Sequence, residues 1–384
     1  MAAALCLAVY FLAIADGMYG RLLHDVLRMQ AGNLTVENAQ HLDAPSIDLM
    51  LDSVPDLRDR IEQVPGVSTT KELIVGQGVA NSAEGAVGTV IVGVQPSVEA
   101  SMSPLVKRLV TGSYLQDGDE RAVVLGAKMA SRLGLAVGNK LVLSTNDTGG
   151  QMVQQMVRVK GIFETGSVEL DGHFVQVPIR FARVLFSMRA DQATQVGILL
   201  HDPNEQESVM RRVQRLLADH ETVTVWPWQK ILPELSTFMQ VDKGSNYVFQ
   251  LIILMMAMFT IFNTIVMSAL ERKREFAVML ALGTSTARVK LQLFVESILL
   301  GTVGCAVGVL AGSALALATD GVSLASVIGD GFDVGGFIVD PMLRAKLTAR
   351  ITVGLGAAMV GLIGVMSLVP MSRIKHIHVT DAFR

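Results

Sequence analysis

Residues Tyr247 to Leu270 (YVFQLIILMMAMFTIFNTIVMSAL) carry no formal charge. A helix needs roughly 20 consecutive apolar residues to cross the hydrocarbon core of a bilayer, where no water satisfies a bare backbone. This segment is long enough, so the chain is expected to sit in a membrane. Two further stretches read the same way. Leu291 to Thr319 holds Gly301, Gly304, Gly308 and Gly312, and its one charge is Glu296; Ile351 to Val369 is uncharged and closed by Pro370. Charged residues make up 17% of the 384-residue chain, below the ~25% usual in soluble domains, and mean hydropathy is +0.45. That balance excludes disorder and a freely soluble enzyme. A net charge of −3 gives no global attraction to nucleic acid. Cys6 and Cys305, the only cysteines, both lie in apolar runs, which rules out a disulfide framework or a zinc site.

Met1 to Ala15 is uncharged and apolar but shorter than a full crossing. It reads either as a signal peptide, with Ala13-Ile14-Ala15 as the cleavage pattern, or as a first transmembrane helix that is partial or extended by the amphipathic run Met18 to Met29. The second reading is preferred, because no Lys or Arg precedes the apolar part. Lys and Arg in short loops set orientation. Arg272, Lys273, Arg274, Arg288 and Lys290 place the loop after Tyr247–Leu270 in the cytoplasm, and Arg373, Lys375 and Arg384 place the tail there. The expected fold is therefore membrane α-helical with four crossings and a large α+β extracytoplasmic domain inserted between the first two. The divisions are a first helix over residues 1–19, the outer domain with two subdomains over 20–244, a second helix over 245–270, a cytoplasmic segment over 271–288, a third helix over 289–319, an outer loop over 320–350, a fourth helix over 351–370 and a cytoplasmic tail over 371–384.

Within the insert, Asn33–Val36 and Val87–Val94 read as strands, and Leu57, Ile61 and Val64 mark a helix ended by Pro65-Gly66. Arg121–Leu125 reads as a strand leading into a helix over Ala127–Leu133. The strand Lys140–Thr145, a turn rich in Asn146, Asp147, Gly149 and Gly150, and Met156–Phe163 read as a hairpin. Gln195–Leu200, Glu205–Leu217 and Thr222–Trp226 read as a β-α-β unit. No catalytic motif or P-loop occurs; Gly134 to Lys140 (GLAVGNK) lacks the G-K-[ST] ending. His24, His41, His173, His201 and His220 stand singly, which favours surface or hydrogen-bonded histidines over metal ligands, and Trp226-Pro227-Trp228 favours packing over ligand stacking.

The informative segment is Glu271 to Lys290 (ERKREFAVMLALGTSTARVK). Phe276, Met279, Leu280 and Gly283 recur at helical spacing, predicting a short amphipathic helix that Gly283 stops. By itself the segment fits either a basic membrane-surface loop or a rigid element that receives a push from a cytoplasmic protein. Gly304, Gly308 and Gly312 form overlapping G-x-x-x-G units, suited to helix packing inside the chain or to a contact between copies. Glu296, near the cytoplasmic end, is expected to pair with Arg288 or Lys290, with a proton or substrate contact as the alternative.

The pattern E-R-x-R-E-[hydrophobic]-x-x-x-x-A-x-G, standing here as Glu271, Arg272, Arg274, Glu275, Phe276, Ala281 and Gly283, resembles that of the MacB/FtsX-type ABC transporter permeases. Gly32 to Val36, Val64 to Val67, Val123 to Gly138 and the ending Asp381-Ala382-Phe383-Arg384 are similar to other stretches of that family. Val92–Glu99 and Gly161–Phe186, with its Leu170-Asp171 pair, look most like the lipoprotein-releasing LolC/LolE-like subunits. The resemblance implies a permease in the bacterial inner membrane that binds no cofactor itself and uses ATP and Mg2+ through separate ABC ATPase subunits. It also implies a second permease copy or related permease, a periplasmic lipoprotein carrier or outer-membrane factor, and membrane lipids as partners. The coupling role falls on Glu271, Arg272, Arg274, Glu275, Phe276, Met279, Leu280 and Gly283, with the apolar residues filling the ATPase groove. Alternatives are a MacB-like exporter permease for drugs or peptides, and a membrane sensor or scaffold.

Overall fold

The computed structural model describes residues 2–30, 32–220, 222–323, 332–334, 337–339 and 342–373. The tail motif from residue 374 onward and much of the loop 320–350 lie outside the described residues. Contacts divide the chain into two units, one built on residues 22–238 and the other on residues 2–21, 239–323 and 342–373.

The first unit is a mixed sheet of ten strands: β1 (Leu34–Asn38), β2 (Val67–Asn81), β3 (Ala86–Val94), β4 (Leu109–Gly112), β5 (Ala122–Gly126), β6 (Lys140–Asn146), β7 (Met152–Phe163), β8 (Phe174–Pro178), β9 (Gln195–Leu200) and β10 (Val223–Pro227). Its order is β10-β1-β9-β2-β3-β8-β5-β7-β4, and β6 pairs with both β2 and β7. The pairings β2-β3-β8-β5-β7-β6 return to β2 and so close a ring of six strands. β9 and β10 both lie antiparallel to β1, one on each side. The expected β-α-β unit, with its helix Gln206–Leu216, is therefore split by β1.

β2 escapes a reading by hydrophobic alternation. Its run Thr69-Thr70-Lys71-Glu72 looks like a polar surface, yet Thr70, Lys71 and Glu72 are all buried. Each polar group has a partner. Lys71 Nζ donates to Arg28 O at 2.8 Å, in the last turn of the helix Ala2–Met29, and lies 3.4 Å from Glu99 Oε2. A cation there meets the unpaired carbonyls and negative end of the helix dipole. Glu72 accepts from Arg58 and Arg183, each at 2.9 Å. Removing one member of such a buried pair costs on the order of 3–5 kcal/mol, because the other charge is left uncompensated.

Local turn chemistry follows the sequence. Gly66, at φ +98°, follows the helix Val54–Glu62. In the β6–β7 turn the Asp147 carboxylate accepts from the amides of Gly149 and Gln151, each at 2.9 Å. The Leu170-Asp171 pair is structural: Asp171 is buried and accepts from the amides of Thr165 and Gly166 and from the Thr165 hydroxyl, each at 2.8 Å. Trp228 is buried, and Trp226 carries Lys230 Nζ 4.1 Å from its ring centroid, a packing arrangement.

The second unit is helical. Ala2–Met29, Pro233–Ser268 and Thr286–Ala318 are long and apolar enough to cross a membrane, whereas the fourth apolar stretch, Thr352–Leu368 within the helix Ala349–Arg373, is shorter. By length and composition three of the four expected crossings are matched by such helices among the described residues. The helix carrying the second span begins at Pro233 rather than near 245, because Glu234, Asp242 and Lys243 keep its first turns out of the uncharged run, although Leu235 and Met239, one turn apart, are buried. Tyr19 donates its hydroxyl to Asp242, which joins it to the first helix. The glycines of the third helix face neighbours within the chain. A Cβ at Gly308 would lie 2.8 Å from Ala2 O, one at Gly312 2.6 Å from Cys6 O, and one at Gly301 2.5 Å from the Ile363 side chain. Gly304 is half-buried, and the buried small-residue line runs instead through Gly301, Cys305, Gly308, Gly312 and Ala316. Small residues there let backbones approach where lipid supplies no hydrophobic drive.

Gly308→Leu is therefore expected to lower the thermal midpoint of the purified protein, with overpacking costing about 1–3 kcal/mol. Gly354→Leu, where an added Cβ meets nothing within 4 Å, should leave the midpoint unchanged.

In the sheet, Glu37 is buried; one carboxylate oxygen accepts from Gln195 Nε2 at 2.8 Å and the other has no partner. Burial pushes its pKa from 4.5 to about 7, against the Gln195 hydrogen bond. The folded state thus holds a proton that the unfolded state has released, and stability from this group falls as pH rises from about 4.5 to about 7. Glu37→Gln should flatten that slope and raise the midpoint at pH 8, measured by thermal unfolding across a pH series.

Candidate functional site

The helix Pro233–Glu271 gives way at Arg272 to a short helix, Lys273–Ala281, and the chain then enters Thr286–Ala318. Arg272 organises this junction. Its Nη1 donates to both oxygens of Glu296, at 2.9 and 2.7 Å, and its Nε donates to Glu275 at 2.8 Å. The guanidinium carbon stands 5.5 Å from the Phe276 ring centroid. Glu296 is thus paired with Arg272, and the expected pairing with Arg288 or Lys290 is corrected. The reason is that Arg272 sits where two helices meet, whereas Arg288 and Lys290 lie on Glu296's own helix two turns earlier.

Phe276 is 1% exposed, and with Val289 and Leu293 it forms a small core against which Met279, Leu280 and Phe294 pack. The stripe expected to fill a partner's groove is turned onto the chain's own third helix. Helical spacing identifies which residues share a face, and a face of this kind is covered by the nearest apolar surface. The outward side carries Glu271, Arg274 and Glu275, with Val278 at 44% and Leu282 at 82% exposure. These last two had no signal beyond lying a turn apart on the opposite face.

Gly283 closes the short helix as anticipated. At φ +86° it takes the left-handed conformation, its amide donates to Leu280 O at 3.1 Å, and the Thr284 amide donates to Met279 O at 3.0 Å. This pair of bonds satisfies the last carbonyls and stops the helix abruptly.

Beside Glu296 lies a mostly apolar cleft of about 240 Å³ whose polar lining is Thr260, Thr264, Ser268 and Ser297. The Thr260 and Thr264 hydroxyls donate back to Met256 O and Thr260 O, at 3.0 and 2.8 Å, which satisfies them within their own helix. Among the described residues no group of three or more His, Cys, Asp or Glu is placed to hold a metal ion. The assembled features are a pinned basic helix and an outward apolar pair, an arrangement suited to docking.

The MacB-like periplasmic core domain family matches residues 1–216, and the FtsX-like permease C-terminal family matches residues 247–379. The chain is similar to the lipoprotein-releasing system transmembrane protein LolC of Xylella fastidiosa (strain 9a5c), 28% identical over 58% of this chain and 54% of that protein. It therefore spans about half the length of that relative. It is also similar to the lipoprotein-releasing system transmembrane protein LolE of Haemophilus influenzae, 22% identical over 73% of this chain and 68% of that protein. The extracellular domain of the noncanonic ABC-type transporter YknZ from Gram-positive bacteria gives a TM-score of 0.38 at 19% identity, over 50% of this chain and 98% of that one. With one family match taking in more than half the chain and the other taking in the apolar helices, the chain belongs to the MacB/FtsX-like family of ABC transporter permeases.

Proposed function

We propose that this chain is the permease subunit of an inner-membrane ABC transporter that releases lipoproteins, driven by a separate ATPase. The observation that carries the reading is the helix Lys273–Ala281, pinned by Arg272 and Phe276 to the neighbouring helix while Val278 and Leu282 face outward. An element held this firmly moves together with the helix it is packed on. A push on its outer face then reaches Thr286–Ala318 through the Phe276, Val289 and Leu293 contacts instead of being absorbed by a loose loop. On this reading the shorter helix Ala349–Arg373 is a fourth crossing, the positive-inside rule puts the short helix in the cytoplasm, where an ATPase supplies the push, and the sheet unit is outside. ATP and Mg2+ belong to that partner. The names of the similar proteins favour lipoprotein release over drug or peptide export.

Val278 and Leu282 are the apolar anchors for the ATPase, with Arg274, Glu275 and Glu271 on the rim. Replacing both anchors by Ser should weaken ATPase capture by at least tenfold, since buried interface anchors typically contribute about 2 kcal/mol or more each. Membrane insertion should be unchanged. Phe276→Ser should instead loosen the short helix itself. Co-purification of the ATPase with each variant, alongside a topology reporter, measures this; full ATPase retention by Val278→Ser/Leu282→Ser would remove the docking assignment.

Glu296→Gln should leave insertion and ATPase binding intact but speed amide exchange over residues 276–281, by roughly fivefold at most for a partly exposed ion pair of about 1 kcal/mol or less. Hydrogen exchange followed by mass spectrometry reads this directly.

A further inference from the structure

Along β2, Leu73, Val75 and Gln77 alternate onto one face of the sheet. On β3, Val92 stands opposite Val75 and Val90 opposite Gln77, and Phe174 of β8 stands beside Val90. Met29 and the segment Ile231–Leu235 stand over this face, and between them and the strands lies an open groove of about 760 Å³. That volume falls in the ~300–1,000 Å³ range of small-molecule sites.

Two observations define what the groove can hold. Its floor is bare at Gly88, two residues before Val90 on the same face, where an added Cβ would meet nothing within 4 Å. Among the described residues its lining contains no Lys or Arg; its carboxylates are Glu169 and Glu234, and the neutral Gln30, Gln77, Thr89 and Gln195 also border it. His173 also borders it, with Nδ1 2.8 Å from Gly88 O. Two carboxylates without a cation repel a phosphate headgroup or an acidic peptide, whereas rows of Leu, Val and Phe favour hydrocarbon. We infer that this groove receives an uncharged acyl chain of a lipid-modified protein after it has left the bilayer. The inference rests on the lipoprotein-release reading and adds to it a shelter for hydrocarbon on the sheet of the outer domain.

The test uses the full chain in lipid nanodiscs and a synthetic tripalmitoyl-cysteine lipopeptide with neutral side chains, carrying a diazirine near the end of one acyl chain. Illumination should place adducts on Leu73, Val75 and Val90. Gly88→Phe, at a glycine whose added Cβ meets nothing within 4 Å, puts a ring over the floor and should reduce them at least tenfold. Gly118→Phe, at an exposed glycine where an added Cβ also meets nothing within 4 Å, should not. Should Gly88→Phe fail to fold, Val90→Gln, which keeps the strand and makes the floor polar, is read the same way. Equal labelling of wild type and the groove variant overturns the assignment. So does equal labelling by a diazirine phosphatidylglycerol of the same chain length, which would make the groove a site for bilayer lipid.

ATP-dependent release of the same lipopeptide from vesicles, measured with the ATPase partner present, separates this inference from the reading beneath it. Wild-type release that survives in Gly88→Phe sinks the groove and leaves the transporter reading standing. Groove labelling without any release by wild type sinks lipoprotein release and leaves the acyl site.

Discussion

β2 is the strand on which the sheet unit depends, because its two edges between them are paired along nearly all of its 15 residues. One edge pairs with β3 from Leu73 to Asn81. The other pairs first with β9, over Val67 to Leu73, and then with β6, over Val79 to Asn81. The same strand therefore belongs to the β10-β1-β9 side and to the six-strand ring, and no flexible linker divides them. Lys71 within it also meets the last turn of the N-terminal helix through Arg28 O, inside the same unit. A strand with so many obligations must bury polar side chains, and it does so with partners for each: Glu99 for Lys71, and Arg58 and Arg183 for Glu72.

The short helix after Arg272 obeys a comparable rule at smaller scale. Its amphipathic stripe is used internally, on Val289 and Leu293, which leaves a sparse outward face of two apolar residues among charges. That division fits the proposed coupling role: one face is packed on the third helix and the other is exposed. The Arg272 fork adds direction more than stability, since a partly exposed ion pair contributes about 1 kcal/mol or less, but its bonds to Glu275 and Glu296 fix the angle at which the short helix leaves its neighbours.

Much of this protein was legible in the sequence. The apolar runs were readable because a bilayer imposes length and excludes charge, and the Glu271 to Gly283 pattern was readable because it pairs a charge cluster with a helical period and a terminal glycine. The strands β3, β5 and β6, the β6–β7 turn and the helix stop at Gly283 followed from local alternation and turn chemistry. β2 was not legible, because Thr70, Lys71 and Glu72 are buried only by virtue of distant partners. β8 and β4 are short, and alternation over so few residues is a weak signal.

The sequence by itself determined which segments can meet lipid, where the basic hinge lies and which residues share a helical face, since these depend on composition and local period alone. Only the tertiary structure decided what each face meets. It turned Phe276 inward, gave Glu296 to Arg272 and set Gly308 and Gly312 against the N-terminal helix. It also brought β2, β3 and β8 together over a groove that ends at Met29 and Leu235. The physical reason is the same in each case. A side chain's period is written in its neighbours along the chain, whereas its burial depends on surfaces contributed from far away in sequence.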